Sequence, residues 1–362
     1  MTRLLPALVL LACAAGLPAQ FPAPLPKEER LPLLDGGFWQ VGPGLSGQLT
    51  DERHAAEVAH MTELGMDIII VQYIASQYDH DAGTYYAYVS GTNLPLHPAL
   101  ARKDPIGAIM EAAEEHGVRV ILGGLLMPLP RHENYEENIA VWTSEEAMDY
   151  RRAVIERFKD SPAFVGWYTP NEPNPANLYG AGADPQLMID ATAETIEVVL
   201  EAKPDLGIVK CIGLYLEPTN GALSPASEEY LDAFWRPWVE QLDAVDVWMV
   251  IDGVGTTLSN LEHTDMAQRW ARELAHEHGK QYWTDVENAH MTAGDYRPMS
   301  MEELAASLEV AARHGERLIT FDYAHYMSRE SPKPDAVRLH EDYAAYRQEL
   351  LGEGEARVEG AF

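Results

Sequence analysis

Short, continuously apolar runs alternate along this chain with longer segments whose apolar positions recur at helical spacing. The runs at 37–41, 67–73, 118–125, 164–168, 207–215, 245–251, 281–286 and 317–323 read as strands. They lack the in–out alternation of a half-exposed strand, as buried parallel strands should. The segments at 50–64, 105–116, 144–158, 185–202, 227–242, 264–278, 300–314 and 334–350 read as amphipathic helices. Ser144 with Glu145 and Glu146, and Ser300 with Glu302 and Glu303, place a cap and acids in a first turn. Gly65, Gly117, Gly279 and Gly315 follow helices and precede strands, as stop signals do. Eight βα units in strict alternation predict an α/β fold, a single-domain (β/α)8 TIM barrel. A doubly wound sheet is the alternative, disfavoured because no glycine-rich nucleotide loop follows the first strand.

A barrel of this type builds its site where strands end and βα loops begin. The fourth strand ends in Tyr168-Thr169-Pro170-Asn171-Glu172-Pro173, and the seventh in Tyr282-Trp283-Thr284-Asp285-Val286-Glu287. Both pass from apolar to polar residues and finish on a glutamate at the same open end. Two facing carboxyl groups are the minimum for cleaving a glycosidic bond, one as acid and one as nucleophile or base. The bland alternative is a pair of surface glutamates. Around Glu172 and Glu287, the strand ends deliver Trp39, Gln72, Tyr73, Trp167, Tyr168, Asn171, Tyr215, Asp252, Trp283, Asp285, Tyr323 and Tyr326 as candidate substrate contacts. Rings beside carboxylates suit sugars, whose C–H faces stack on aromatics while their hydroxyls need polar partners. Barrel packing is the ordinary reading for any one of these rings. Period-two alternation puts Asp285 and Glu287 on one strand face, Asp285 serving as a supporting charge or a buried structural partner.

Asn171-Glu172-Pro173 with a glutamate ending the seventh strand resembles the clan A glycoside hydrolases. The resemblance implies Glu172 as acid/base, Glu287 as nucleophile and Asn171 holding the sugar 2-hydroxyl. More closely, the chain resembles a bacterial family of unassigned function with a glycosidase-like barrel. The matching features are Gly37-Phe38-Trp39-Gln40, Gly65-Met66-Asp67, Gly166-Trp167-Tyr168, Asp252-Gly253-Val254-Gly255 and Trp283-Thr284-Asp285-Val286-Glu287. They span nearly the whole barrel. Clan A usually presents a tryptophan under the sugar from the eighth strand; here Phe321-Asp322-Tyr323 stands, with Tyr323 as the substitute. The usual histidine and tyrosine near the sixth strand are replaced by Asp252. A retaining mechanism predicts carboxyl groups about 5–5.5 Å apart, and an inverting one about 6.5–9.5 Å.

Charge narrows the ligand. With 57 acidic against 26 basic residues, the formal net charge is −31, which repels nucleic acid and anionic membranes and favours a neutral poly- or oligosaccharide. No cofactor or metal is expected: the first strand has no His-x-His, and most histidines fall on helices or their ends. A monomer is expected. Residues 1–19 read as a signal peptide, with Arg3, an apolar run over 4–15 and Leu17-Pro18-Ala19 before Gln20. Leu10-Leu11-Ala12-Cys13 admits a second reading, as a lipid-attachment box. Both imply export, and no later segment is apolar enough to span a membrane. Removal of the leader leaves Cys211 alone, so no intramolecular disulfide is expected. Residues 20–35 read as a proline-rich tether, 36–351 as the barrel and 352–362 as a frayed acidic tail. Loops 77–103 and 127–143 are long enough to wall a cleft. Besides a secreted retaining glycoside hydrolase, the sequence admits a glycan-binding or scaffold barrel at the cell surface.

Overall fold

The computed structural model describes residues 21, 30–41, 50–77, 85–100, 104–126, 135–171, 184–213, 216–219, 222–292 and 295–359. Eight parallel strands close a barrel in sequential order. They are β1 (Gly36–Trp39), β2 (Ile68–Val71), β3 (Arg119–Gly123), β4 (Phe164–Thr169), β5 (Gly207–Gly213), β6 (Val247–Ile251), β7 (Gln281–Glu287) and β8 (Leu318–Phe321). Closure is made by β1, which pairs with β2 on one edge and β8 on the other. The helices are α1 (Asp51–Glu63), α2 (Pro105–His116), α3 (Tyr135–Trp142), α4 (Glu145–Phe158), α5 (Pro185–Ala202), α6 (Glu228–Gln241), α7 (Leu261–Glu277), α8 (Met301–His314), α9 (Tyr323–Tyr326) and α10 (Pro334–Glu359).

The predicted barrel is the observed one, and local chemistry explains most boundaries. Ser300 and Glu303 complete a reciprocal capping box at the start of α8. Asn260 accepts from the His263 N–H, so α7 begins a turn earlier than the predicted 264. Gly65, Gly117 and Gly279 stop their helices at φ of 75°, 69° and 69°, whereas Gly315 is extended at φ −73°. The C-terminal helix continues to Glu359 where a frayed tail from 352 was expected. Among the described residues, three hairpins decorate the open end: Ala75–Gln77 with Tyr85–Ala87, Leu216–Thr219 with Ala222–Pro225, and Ala289–Thr292 with Asp295–Pro298. Among the described residues, no helix is long and apolar enough to cross a membrane.

Alternation along the strands sorts the core into two layers. Phe38, Ile70, Tyr168, Met249 and Trp283 point into the barrel, and Cys211 is buried among them. Their strand neighbours face the helices. The bottom of the barrel is closed by Phe21, from the segment expected to be a tether. Its ring meets Trp283 edge-on at 5.1 Å and fills the space above Gly207, where a Cβ would stand 2.1 Å from the ring. Residues 30–35 are also fastened down. Arg30 pairs with Asp35, Asp35 accepts from Arg317 at 2.8 Å, and the Leu34 N–H donates to the Tyr343 hydroxyl at 2.7 Å. These residues are part of the domain, because a barrel needs its lower end filled. Phe21→Leu should therefore cost about 1 kcal/mol in urea-monitored unfolding. An unchanged midpoint would show that the plug adds nothing.

Candidate functional site

The open end of β7 organises the site. Trp283, Asp285 and Glu287 share the inward face; Trp283 packs deep, and the two acids line a cavity of about 220 Å³. Gln72 from the β2 end, Thr256 from the loop after β6, Met291 from the hairpin after β7 and Phe321 ending β8 complete much of the wall. Glu287 is 2% exposed. Its carboxylate accepts from the Thr256 N–H at 2.9 Å and from the Thr256 hydroxyl at 3.4 Å.

The segment Asp252-Gly253-Val254-Gly255 accounts for that geometry. Asp252 Oδ1 accepts from the Val254 N–H at 3.1 Å and from the Glu287 N–H at 3.3 Å. The Gly255 carbonyl accepts from the Met291 N–H at 3.0 Å, stitching the two loops together. A Cβ on Gly255 would lie 2.0 Å from the Ala289 carbonyl oxygen, so only glycine permits this approach. Asp252 was expected to touch substrate. It does not line the cavity and is 1% exposed, because it follows the inward-facing Ile251 and alternation turns it aside. Burial, reinforced by the neighbouring Glu287 charge, raises its carboxyl well above the usual range.

The other expected contacts divide by parity. Gln72 lines the cavity and accepts from the Gln40 amide at 2.6 Å. Asp285 lines it too, with the Cys211 thiol 4.0 Å from its Oδ2. Tyr168 points inward below the site, edge-on to Phe38 at 5.3 Å. Tyr73 lies beside Tyr88 with ring centroids 5.9 Å apart, and burial, then the Tyr88 and Asp322 charges, raises its phenol. Tyr326 carries the Lys333 ammonium 4.6 Å above its ring. Asn171 is buried, and its carbonyl accepts from the buried ammonium of Lys210. Glu172 and Tyr215 lie outside the described residues.

Three expected contacts are misplaced. Trp39 and Trp167 pack in the helix-facing layer, one residue out of phase with the inward Phe38 and Tyr168. Trp39 lies against His54 and Tyr323, at 5.6 and 6.2 Å between centroids. Tyr323 also faces the helices, because β8 ends at Phe321 and Asp322 caps the one-turn helix α9, which breaks the alternation. Its hydroxyl donates to Glu57 Oε2 at 3.2 Å. The aromatic at the cavity is Phe321, in step with the inward Ile319. Tyr323→Phe should therefore leave any sugar-directed activity unchanged while removing a donor from buried Glu57. The expected cost is about 1–2 kcal/mol in chemical denaturation. Lost activity with unchanged stability would reverse this placement.

Sequence reasoning missed Phe321, Thr256 and Lys210; it placed Asp322 and His325 at the eighth strand end without their pairing. Parity marks Phe321, but nothing marks Thr256, whose contribution includes a backbone N–H. Asp322 Oδ2 lies 2.6 Å from His325 Nδ1. Burial opposes charge on His325, yet the adjacent Asp322 carboxylate and its hydrogen bond raise the imidazole above its ordinary value. Among the described residues, no group of three or more His, Cys, Asp or Glu side chains is placed to hold a metal ion.

A family model described as Domain of unknown function (DUF4434) matches residues 34–336. No curated protein matches the chain. Among solved structures, a candidate alpha-L-fucosidase from Bacteroides thetaiotaomicron VPI-5482 is 18% identical, with a TM-score of 0.69 covering 87% of this chain and 93% of that one. The hyperthermostable endo-1,4-beta-D-mannanase of Thermotoga petrophila RKU-1 is 11% identical, with a TM-score of 0.56 covering 87% of this chain and 99% of that one. The beta-galactosidase of the psychrophilic Marinomonas ef1 is 12% identical, with a TM-score of 0.56 covering 89% of this chain and 60% of that one. At these identities the likeness establishes the barrel fold alone.

Proposed function

The chain belongs to the DUF4434 family, and we propose that it is a retaining glycoside hydrolase with Glu287 as nucleophile and Glu172 as acid/base. The observation that carries this reading is the setting of Glu287. Its carboxylate stands at the open end of the barrel, on a cavity wall, fixed by Thr256 and beside Phe321, its register partner on the next strand. A carboxylate held in one orientation beside an apolar platform suits in-line attack on an anomeric carbon. In the first step Glu287 bonds to that carbon while Glu172 gives its proton to the departing glycosidic oxygen. In the second, Glu172 takes a proton from water, the water oxygen bonds to the same carbon, and Glu287 leaves.

Gln72 offers amide groups to sugar hydroxyls, and Asn171 is assigned the 2-hydroxyl through its place beside Glu172. Asp285 and Glu287 make the cavity acidic, which supports a neutral sugar ring over a uronate. The leader-like sequence over 1–19 supports export. The experiment is sugar release from a panel of neutral plant, algal and bacterial glycans by wild type, Glu172→Gln and Glu287→Gln. Release that both substitutions abolish supports the reading. Glycan binding by all three proteins without cleavage would replace it with a binding barrel.

A further inference from the structure

Asp252 stands out among the buried acids because it has no direct part in the two-glutamate chemistry, yet its contacts converge on Glu287. Its Oδ1 accepts two backbone N–H groups, from Val254 and from Glu287 itself. Its Oδ2 is buried and meets no donor among the described residues. The bond from the Glu287 N–H at 3.3 Å seats this carboxyl group against Glu287, whose charge adds to the effect of burial on it. Two ionised carboxylates in contact away from water would repel strongly, and an Oδ2 without a donor would add a desolvation cost. One proton between them removes both penalties.

We propose that Asp252 is a neutral carboxylic acid whose Oδ2–H donates to the Glu287 carboxylate, holding that carboxylate ionised and aimed at the cavity. The proposal deepens the glycosidase reading and rests on Glu287 being its nucleophile. Asp252 is then a positioning residue, for it meets neither the cavity nor the sugar. The two acids divide the work by surroundings. Glu287 receives the Thr256 N–H and hydroxyl, donors that favour a carboxylate. Asp252 is sealed behind it.

Among the described residues, no ammonium, guanidinium or imidazole donates to the Asp252 carboxyl group. Tyr282 of β7 is raised by burial, so it is a neutral phenol. Asp285 takes the Asp252 N–H on its backbone carbonyl at 2.9 Å and turns its side chain into the barrel beside Cys211. His263 at the start of α7 spends Nε2 on the Ala226 carbonyl and Nδ1 on Ser259. Thr264 binds the Asp252 carbonyl rather than its carboxyl group.

The test has two arms. In the first, the full chain is prepared with carbon-13 in its aspartate carboxyl groups and titrated by NMR, with Asp252→Asn to assign the signal. One aspartate resonance that stays at the protonated position through neutral pH, and is missing from Asp252→Asn, is the expected result. A signal for Asp252 that titrates with the surface carboxylates would overturn the proposal. This arm needs no substrate, so its failure is separate from failure of the glycosidase reading.

The second arm uses whichever glycan the wild type cleaves. Asn reproduces a protonated aspartic acid: its oxygen accepts the two N–H groups and its amide donates to Glu287. Asp252→Asn should keep kcat/KM close to wild type and leave the acid limb of its pH profile in place. Asp252→Leu lacks the donor, so the Glu287 pKa should rise and the acid limb should move up by roughly one unit or more. Its kcat/KM should fall about tenfold to a hundredfold. An acid limb that moves to lower pH in Asp252→Asn would mean that a negative charge had been removed, and the proposal would be wrong. Should Asp252→Leu fail to fold, the Asn variant and the NMR signal still decide the matter.

Discussion

Glu287→Gln should abolish sugar release, lowering kcat by roughly four to six orders of magnitude, while the barrel stays folded. The amide keeps the shape of the side chain. Its oxygen can still accept from Thr256, which holds the native carboxylate at 2.9 Å, and its nitrogen can donate to Asp252 once that acid gives up its proton, as the missing charge at 287 permits. What it loses is the negative charge and lone pair that bond to the anomeric carbon. Because hydrogen bonding is nearly conserved, the unfolding midpoint should move by less than about 1 kcal/mol. Binding of the intact glycan should survive. Rate assays, urea unfolding and calorimetric binding on the same protein separate these effects. A variant that retains a large share of activity would assign the nucleophile elsewhere.

Gly255→Ala should lower kcat/KM about tenfold to a hundredfold without touching any proposed substrate contact. The added Cβ would stand 2.0 Å from the Ala289 carbonyl oxygen, a backbone atom that no side-chain rotation can clear. The loop after β6 and the hairpin after β7 must then separate, which strains the Met291 N–H to Gly255 carbonyl bond at 3.0 Å. The next residue is Thr256, so its N–H is drawn off the Glu287 carboxylate. A hydrogen bond to a charged group contributes about 1.5–3 kcal/mol, which sets the expected loss of rate. Forced repacking of this kind costs about 1–3 kcal/mol of stability, measurable in the same unfolding assay. Wild-type activity in Gly255→Ala would mean that Thr256 does not position Glu287.

Much of the fold was legible because each barrel strand is covered on both sides and so appears as an unbroken apolar run, such as Ile68–Val71. The caps Ser144 and Ser300 then fix helix starts through a local hydrogen bond that needs no tertiary context. The hairpins were not legible, because strands of three or four residues such as Ala75–Gln77 carry no period. Phe21 was hidden for another reason. A lone aromatic among prolines looks like spacer, and only the void above Gly207 gives it a place.

The site was half legible. Parity correctly brings Asp285 and Glu287 to one cavity, and the same rule applied to Phe38 would have sent Trp39 toward the helices. Tyr323 defeats the rule because β8 stops two residues earlier. Asp252 reads as a strand-end acid available to substrate, but parity after the inward Ile251 turns it aside from the cavity, where it accepts the Glu287 N–H.

The most direct test of Glu287 as nucleophile is to trap the enzyme with a slowly released activated glycoside and find the adduct by peptide mass spectrometry. A sugar bonded to the peptide containing Glu287, with the product anomer first formed matching that of the substrate, is the predicted result. Turnover that yields the opposite anomer, with no covalent adduct on the chain, would contradict it.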